Sequence, residues 1–229
     1  LQSGQQEREG RFIVLEGPDG AGISTQTARL RDGLAARGVR VFATKEPTGG
    51  PIGAVVRQAL SHRLVYPPSE PVGDEVMALL YAADRLDHVR ADILPRLLAG
   101  THVICDRYRL SSYAYQGLTA GQDWVRALNS RAMPPDITLF IDVPPEVSQS
   151  RIAHRGGYVE LYETDERLRP IYANYLQLIK DLKKEGEHII RIDGTGTVQQ
   201  VEAAILSEVL AFLDHKDDRT GTENGAGKR

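Results

Sequence analysis

Apolar residues occur along this chain in two alternating rhythms. Short continuous runs appear at "RFIVLE" (11–16), "VRVFAT" (39–44), "THVICD" (101–106), "DITLFIDV" (136–143) and "HIIRID" (188–193). Such runs are too short for helices and read as strands buried on both faces. Between them apolar residues recur at helical spacing. "STQTARLRDGLAAR" (24–37) carries Ala28, Leu30, Leu34 and Ala35 on one face and is closed by Gly38. "PIGAVVRQAL" (51–60) opens on a proline suited to a helix's first turn. The pattern predicts further helices over about 75–90, 123–133, 145–155, 164–186 and 198–213, with Pro95 interrupting or restarting one and Pro170 near the start of another. Residues 65–74, rich in proline, read as a loop. Strands that alternate with helices make a parallel sheet covered on both faces. The expected architecture is one domain over 11–213, with a flexible segment at 1–10 and a disordered tail at 214–229. That tail lacks the apolar residues that would offset its ordering entropy.

Composition narrows the class without naming it. A chain of 229 residues with 41% hydrophobic content suits one soluble core. A net charge of -3 argues against a general nucleic-acid or membrane binder. No apolar run approaches the ~20 residues of a membrane span. The first residues, "LQSGQQEREG", show no apolar signal region, so a cytoplasmic location is expected. The single cysteine, Cys105, cannot form an internal disulfide and sits in an apolar strand, where core packing is the expected role. The six histidines show no metal-ligand spacing, and Trp124 reads as packing a helix or a subunit contact.

The first strand leads into "GPDGAGIST" (17–25), which follows the phosphate-loop pattern G-x-x-x-x-G-K-[ST] except at one position: Ile23 stands where the lysine belongs. The context of strand, glycine loop and helix is the one a phosphate loop needs. Backbone N–H groups of Gly17, Gly20, Ala21, Gly22, Ile23, Ser24 and Thr25 would meet an anion at the helix N-terminus. Ser24 can ligate Mg²⁺ through its hydroxyl. Loss of one electrostatic donor costs ~10²–10³ in rate, so Ile23 alone does not exclude catalysis. Arg151, Arg155 and Lys45 are the candidate replacement cations.

Other polar clusters sit at the carboxyl ends of strands, where open α/β sheets bind ligands. Asp106 ends the third strand as a Walker-B-like carboxylate for the metal, and Arg107 follows as a phosphate clamp. Lys45 and Glu46 follow the second strand. Tyr81 and Arg85 lie four residues apart on one helix face, a ring to stack on a nucleobase and a guanidinium to read its carbonyl.

Taken together, "FIVLEGPDGAG.STQ", "EPTGGPIG", "LLYAADR..HV", "DRY..SS.AYQG", "DW...LN", "PPDITLFIDVPPEV" and "RI..RG" resemble the thymidylate kinase family from about Phe12 to Leu213. The resemblance implies a P-loop NTPase-type three-layer fold with a mobile lid at about 151–163, MgATP as phosphoryl donor, dTMP as acceptor and a homodimer. It implies that Asp19 contacts the sugar 3′-hydroxyl or acceptor-phosphate region, Tyr81 stacks on thymine, Arg85 reads its O4 and Arg107 holds the monophosphate. By the same resemblance Ser111 and Gln116 lie beside the base, Tyr115 packs near the sugar and helps exclude a 2′-hydroxyl, and Arg151 and Arg155 belong to the lid over ATP. Gly20 occupies a loop position where other members carry arginine, which implies the type whose arginine comes from the lid. Tyr162 aligns loosely with a lid tyrosine over the acceptor. Two departures from the family pattern stand out: Ile23, and Lys45 where arginine commonly precedes "EP". Three readings stay open. They are an active dTMP kinase with a rebuilt donor site, a nucleotide-binding homologue with little turnover that serves as sensor or partner, and a kinase for another pyrimidine monophosphate.

Overall fold

The computed structural model describes residues 9–155, 161, 162 and 164–221, with Arg155, Asp165 and 215–221 described by backbone alone. Five parallel strands form the central sheet: β1 (Phe12–Glu16), β2 (Val41–Lys45), β5 (His102–Asp106), β6 (Ile137–Asp142) and β7 (Ile189–Asp193). Their order is β2-β5-β1-β6-β7. A separate two-stranded ribbon pairs β3 (Val65–Tyr66) with β4 (Glu70–Pro71). The helices are α1 (Ile23–Ala35), α2 (Pro51–Leu60), α3 (Asp74–His88), α4 (Leu94–Leu98), α5 (Arg109–Tyr115), α6 (Gly117–Ala120), α7 (Gln122–Leu128), α8 (Pro145–Arg155), α9 (Asp165–Lys184) and α10 (Val198–Gly221).

Successive strand residues point to opposite faces, and the core divides accordingly. Ile13 and Leu15 of β1 join Leu30 and Leu34 of α1 and Ile205 and Val209 of α10 on one side. Phe12 and Val14 face Ile93 and Leu97 on the other. A third cluster gathers α2, α3, α5 and α9 around Phe140 and Tyr175. The expected three-layer α/β arrangement is what forms. All five strands run the same way, with Lys45 beside Asp106 and Leu15 beside Asp106 in register. Their carboxyl ends therefore share one edge of the sheet.

Four local expectations are corrected and a fifth, at Pro95, is resolved. The 65–74 stretch is not all loop, since the short ribbon turns around Pro67 and Pro68. Of the two expectations for Pro95, interruption or restart, the structure shows a restart. A π turn at Val89–Ile93 hands α3 on to α4, placing Pro95 in a first turn that needs no N–H from it. The helix at 123–133 stops at Leu128, where Asn129 turns its side-chain N–H to the Val125 carbonyl. α10 runs past Leu213 to Gly221, because extending an existing helix adds a hydrogen bond per residue without a new nucleus. At the other end, Gly10 is buried and its N–H donates to Leu97 O at 3.0 Å, so order begins before residue 11. The expectations for residues 1–8 and 222–229, and for lid residues 156–160 and 163, fall outside the described residues.

Candidate active site

The loop after β1 is built for close approach. Gly20 and Gly22 take φ of 79° and 82°, a region glycine enters without penalty. A Cβ at Gly20 would lie 2.6 Å from the Ser148 carbonyl of α8. Position 20 therefore has no room for a side chain, which fits the implied type whose arginine comes from elsewhere. Gly17 stands behind the loop, where its carbonyl accepts from Arg107 Nη1 at 2.9 Å and a Cβ would lie 2.8 Å from Ile141 O.

Ile23 is only 4% exposed and joins Ala21, Ile141, Val143 and Val201 in the α1–α10 core cluster. The buried residues of α1 are Ile23, Gln26, Thr27, Leu30 and Leu34, rather than the expected set with Ala28 and Ala35. An apolar residue at 23 thus continues the helix's own stripe, whereas a lysine there must carry its charge out of it.

Two cavities open at the carboxyl edge of the sheet. The first, about 410 Å³, is lined by the loop from Pro18 to Thr25 together with Asp106, Arg107, Arg151 and Ile152. The second, about 230 Å³, is lined by Lys45, Glu46, Arg57, Tyr81, Arg85, Tyr108, Ser112, Tyr115, Gln116 and Tyr162 among others. Asp19, Ser24, Asp106 and Arg107 line both.

At that junction Ser24 Oγ donates to Asp106 Oδ2 at 2.5 Å. Burial pushes the Asp106 carboxyl up. The Ser24 hydrogen bond and the charges of Arg107 and Lys45 pull it back. Arg107 occupies a left-handed backbone position (φ 66°), which turns its side chain back over β1. It donates to Asp19 Oδ1 at 2.7 Å and to Ser111 Oγ at 3.2 Å. Tyr115 Oη donates to the other Asp19 oxygen at 3.0 Å. Burial opposes the Arg107 charge, but Tyr115, Asp19, Tyr175 and Asp106 around it hold the guanidinium firmly protonated. Lys45 is exposed at the cavity's edge.

Arg85 forms the wall of the second cavity and is almost wholly buried. Its Nε donates to Glu46 Oε2 at 2.9 Å, and its Nη2 lies 2.7 Å from the same oxygen in an ion pair. Its Nη1 meets Ser112 Oγ at 3.2 Å and the Asn129 side-chain oxygen. Tyr81 lines the same cavity, half-buried. Gln116 donates to Tyr162 Oη at 3.1 Å, and Tyr162 in turn donates to Asp74 at 2.6 Å. The loosely aligned Tyr162 thus reaches the same cavity as Tyr81 and Arg85, tied there also by Leu161 N–H to Leu60 O at 3.3 Å. Ser111 lines this cavity too, but its hydroxyl is engaged by Glu16 at 2.6 Å and meets Tyr175 at 2.9 Å. Arg151 sits in the first cavity with its guanidinium on Gly194 O at 2.9 Å. The Arg155 side chain is outside the described residues.

Sequence reasoning missed Glu16, Arg57 and Asn129. Glu16 is fully buried at the end of β1, and its Oε1 accepts from the backbone N–H of Tyr108 and Ser111 at 2.9 and 3.1 Å. It caps α5 from a distant strand, which is why "RLSSYAY" was not legible as a helix. Burial raises its carboxyl, partly offset by Ser111 and Arg107. Arg57 of α2 brings a third guanidinium to the second cavity and donates to Thr48 O. Its signal was a lone basic residue on the apolar helix after "EPTGGP". Asn129 was quoted within "DW...LN" but carried no role.

Glu46, His88 and Cys105 bring three potential metal-ligand atoms within 4.8 Å of one another. Arg85 lies against the same carboxylate, and Cys105 Sγ donates to Arg107 O at 3.0 Å. A guanidinium on the carboxylate makes this an ion-pair network, not a cation site. Burial pushes the Cys105 thiol well up, which fits the expected core role.

The profile of the thymidylate kinase family matches residues 15–205. The chain is 37% identical over 208 residues to the thymidylate kinase of Magnetococcus marinus, covering 88% of this chain and 96% of that one. It is 33% identical over 214 residues to the thymidylate kinase of Exiguobacterium sibiricum, covering 91% and 98%. It is 41% identical over 161 residues to that of Chromohalobacter salexigens, covering 68% and 74%. With a phosphate loop, a strand-end aspartate and an arginine-walled second cavity meeting at one sheet edge, the chain belongs to the thymidylate kinase family.

Proposed function

We propose that the chain transfers the γ-phosphoryl group of ATP to dTMP, giving dTDP and ADP. Beyond family membership, one observation carries this reading: the phosphate-loop cavity and the arginine-walled cavity share Asp19, Ser24, Asp106 and Arg107. A donor phosphate in the first and an acceptor phosphate in the second would meet there. An acceptor phosphate oxygen attacks the γ-phosphorus, a P–O bond forms, and the bond to the β-phosphate oxygen breaks. The acceptor is already an anion, so no general base is required. Alignment and charge neutralisation are what the protein must supply.

In this reading the loop N–H groups bind the donor phosphates, Arg107 and Arg57 grip the acceptor phosphate, and Asp19 orients Arg107 and Tyr115. Tyr81, Arg85, Gln116 and Tyr162 enclose the base. Arg151, and Arg155 one turn further along α8, are positioned by sequence to offer the cation that Ile23 lacks. Ser24 and Asp106 are a hydroxyl and a carboxylate 2.5 Å apart beside the N-terminus of α1, a hard-oxygen pair that suits Mg²⁺. When bound, Mg²⁺ supplies neutralisation of the donor's phosphate charge. An ATP-using role fits a cytoplasmic location. Among the described residues no helix is long and apolar enough to cross a membrane.

The test is ADP release from MgATP with and without dTMP, in the unmodified chain and in Ile23→Lys. The expected result is dTMP-dependent release in both, with kcat at least tenfold higher in the variant, toward the ~10²–10³ a single donor is worth. Release that ignores dTMP in both proteins would overturn the assignment. The burial of Ile23 in the apolar stripe favours one second reading, a nucleotide-binding member with its donor chemistry switched off. Silence in the unmodified chain with activity in Ile23→Lys would establish it.

We also propose a homodimer. Val55 of α2, Val76 and Leu79 of α3, Leu118 of α6 and Trp124 of α7 are all exposed by more than a third. Apolar side chains left exposed on neighbouring elements are what a subunit interface covers. Light scattering should give twice the chain mass, and Leu79→Glu should return it to one. A single-chain mass for the unmodified protein would reject the dimer.

A further inference from the structure

A largely buried chain of hydrogen bonds leads away from the second cavity, and its far end takes no part in lining it. Thr44 Oγ1 lies 2.8 Å from His88 Nε2, and His88 Nδ1 lies 3.1 Å from Glu46 Oε1. The other Glu46 oxygen accepts from Nε of Arg85 and pairs with its Nη2. His88 is 2% exposed and is not among the residues facing the cavity. Glu46 is a carboxylate paired with a guanidinium, so it can only accept, and Nδ1 of His88 must carry the hydrogen between them. Both carboxylate oxygens are thus held, one by the imidazole and one by the guanidinium.

The consequence lies in the donor count of Arg85. A guanidinium has five N–H groups. The Nε hydrogen goes to Glu46, whose Oε2 also holds Nη2 in ion-pair contact, and the two Nη1 hydrogens go to Ser112 and Asn129. Among the described residues Nη2 keeps at least one hydrogen with no hydrogen-bond acceptor, on a side chain that lines the cavity. Which way that hydrogen is offered depends on the tilt of the Glu46 carboxylate, and the tilt is fixed at Oε1 by His88.

We propose that His88 is a positioning residue for base selection. By clamping Glu46 it holds Arg85 so that its spare N–H meets a carbonyl at position 4 of a pyrimidine and gains nothing from an amino group there. This rests on the reading of the second cavity as the acceptor-nucleotide site.

The experiment measures Kd for dTMP, dUMP and dCMP, and kcat with dTMP, in the unmodified chain, His88→Asn and His88→Gln. An asparagine amide can stand where Nδ1 stands and still donate to Glu46; a glutamine amide extends toward the Nε2 position. His88→Gln should weaken dTMP and dUMP about tenfold, the scale of one mis-set hydrogen bond to a charged group, and leave dCMP unchanged. Its kcat should stay within about twofold. His88→Asn should bind all three like the unmodified chain. An equal loss for all three nucleotides, or an asparagine variant as impaired as the glutamine one, would overturn the role and leave His88 as packing. If the unmodified chain binds none of the three, the acceptor-site reading fails first, and the role falls with it.

Discussion

Replacing Arg107 with alanine should lower kcat/KM for dTMP by about 10³–10⁴. One electrostatic donor is worth ~10²–10³, and an arginine that neutralises a moving phosphoryl group ~10³–10⁵. Arg107 borders both cavities, and its loss has a second consequence. Asp19 loses its 2.7 Å partner, and the nearby Asp106 loses a charge that holds its carboxyl down. Burial already raises that carboxyl, so without Arg107 it takes up a proton at higher pH. The acid limb of the kcat profile should therefore move to higher pH in the variant. Arg107→Lys should recover only a small part of the rate, because an ammonium cannot span Gly17 O, Ser111 and Asp19 as the planar fork does. Steady-state kinetics across pH checks both claims. A kcat/KM within tenfold of the unmodified chain would remove Arg107 from the reaction.

The second large effect is expected from Arg85→Met. Methionine nearly fills the space but leaves Glu46, a carboxylate 4% exposed, facing only His88. Removing one partner of a buried ion pair costs about 3–5 kcal/mol. For a chain of this size that is about 6–20 °C in Tm at 2–4 °C per kcal/mol. The base would also lose its reader, so KM for dTMP should rise about tenfold or more. Arg85→Met with Glu46→Gln should recover much of the Tm, because the stranded charge is gone, without recovering KM. Recovery of both would show that Arg85 only supports the fold. Differential scanning calorimetry and dTMP titration separate the two.

Much of this molecule was legible before its fold was known, and particular segments show why. "FIVLEGPDGAGIS" announces strand, loop and helix because the determinants are adjacent: an apolar run, glycines that permit φ near 80°, and a helical stripe. The five strands and α2 followed from periodicity for the same reason. Misreadings came where a local pattern was overruled from elsewhere. The α5 segment has no helical signal of its own until Glu16 of the neighbouring strand caps it. At Pro95 the sequence leaves interruption and restart open, and only the π turn before it settles on a restart.

The order of motifs by itself determined the family, the parallel α/β layers and which residues would gather at the strand ends. Tertiary structure alone decided how those residues are committed. It seated Ile23 in the α1–α10 core, closed Gly20 against α8, and brought Arg57 into the second cavity. It also made one buried set of Glu46, Arg85, His88 and Asn129, with half-buried Thr44 at its end. Periodicity is a property of neighbours along the chain, so a sequence displays it. A polar group taken out of water must instead be satisfied by whatever the fold brings beside it, and in a parallel sheet those partners arrive from distant segments.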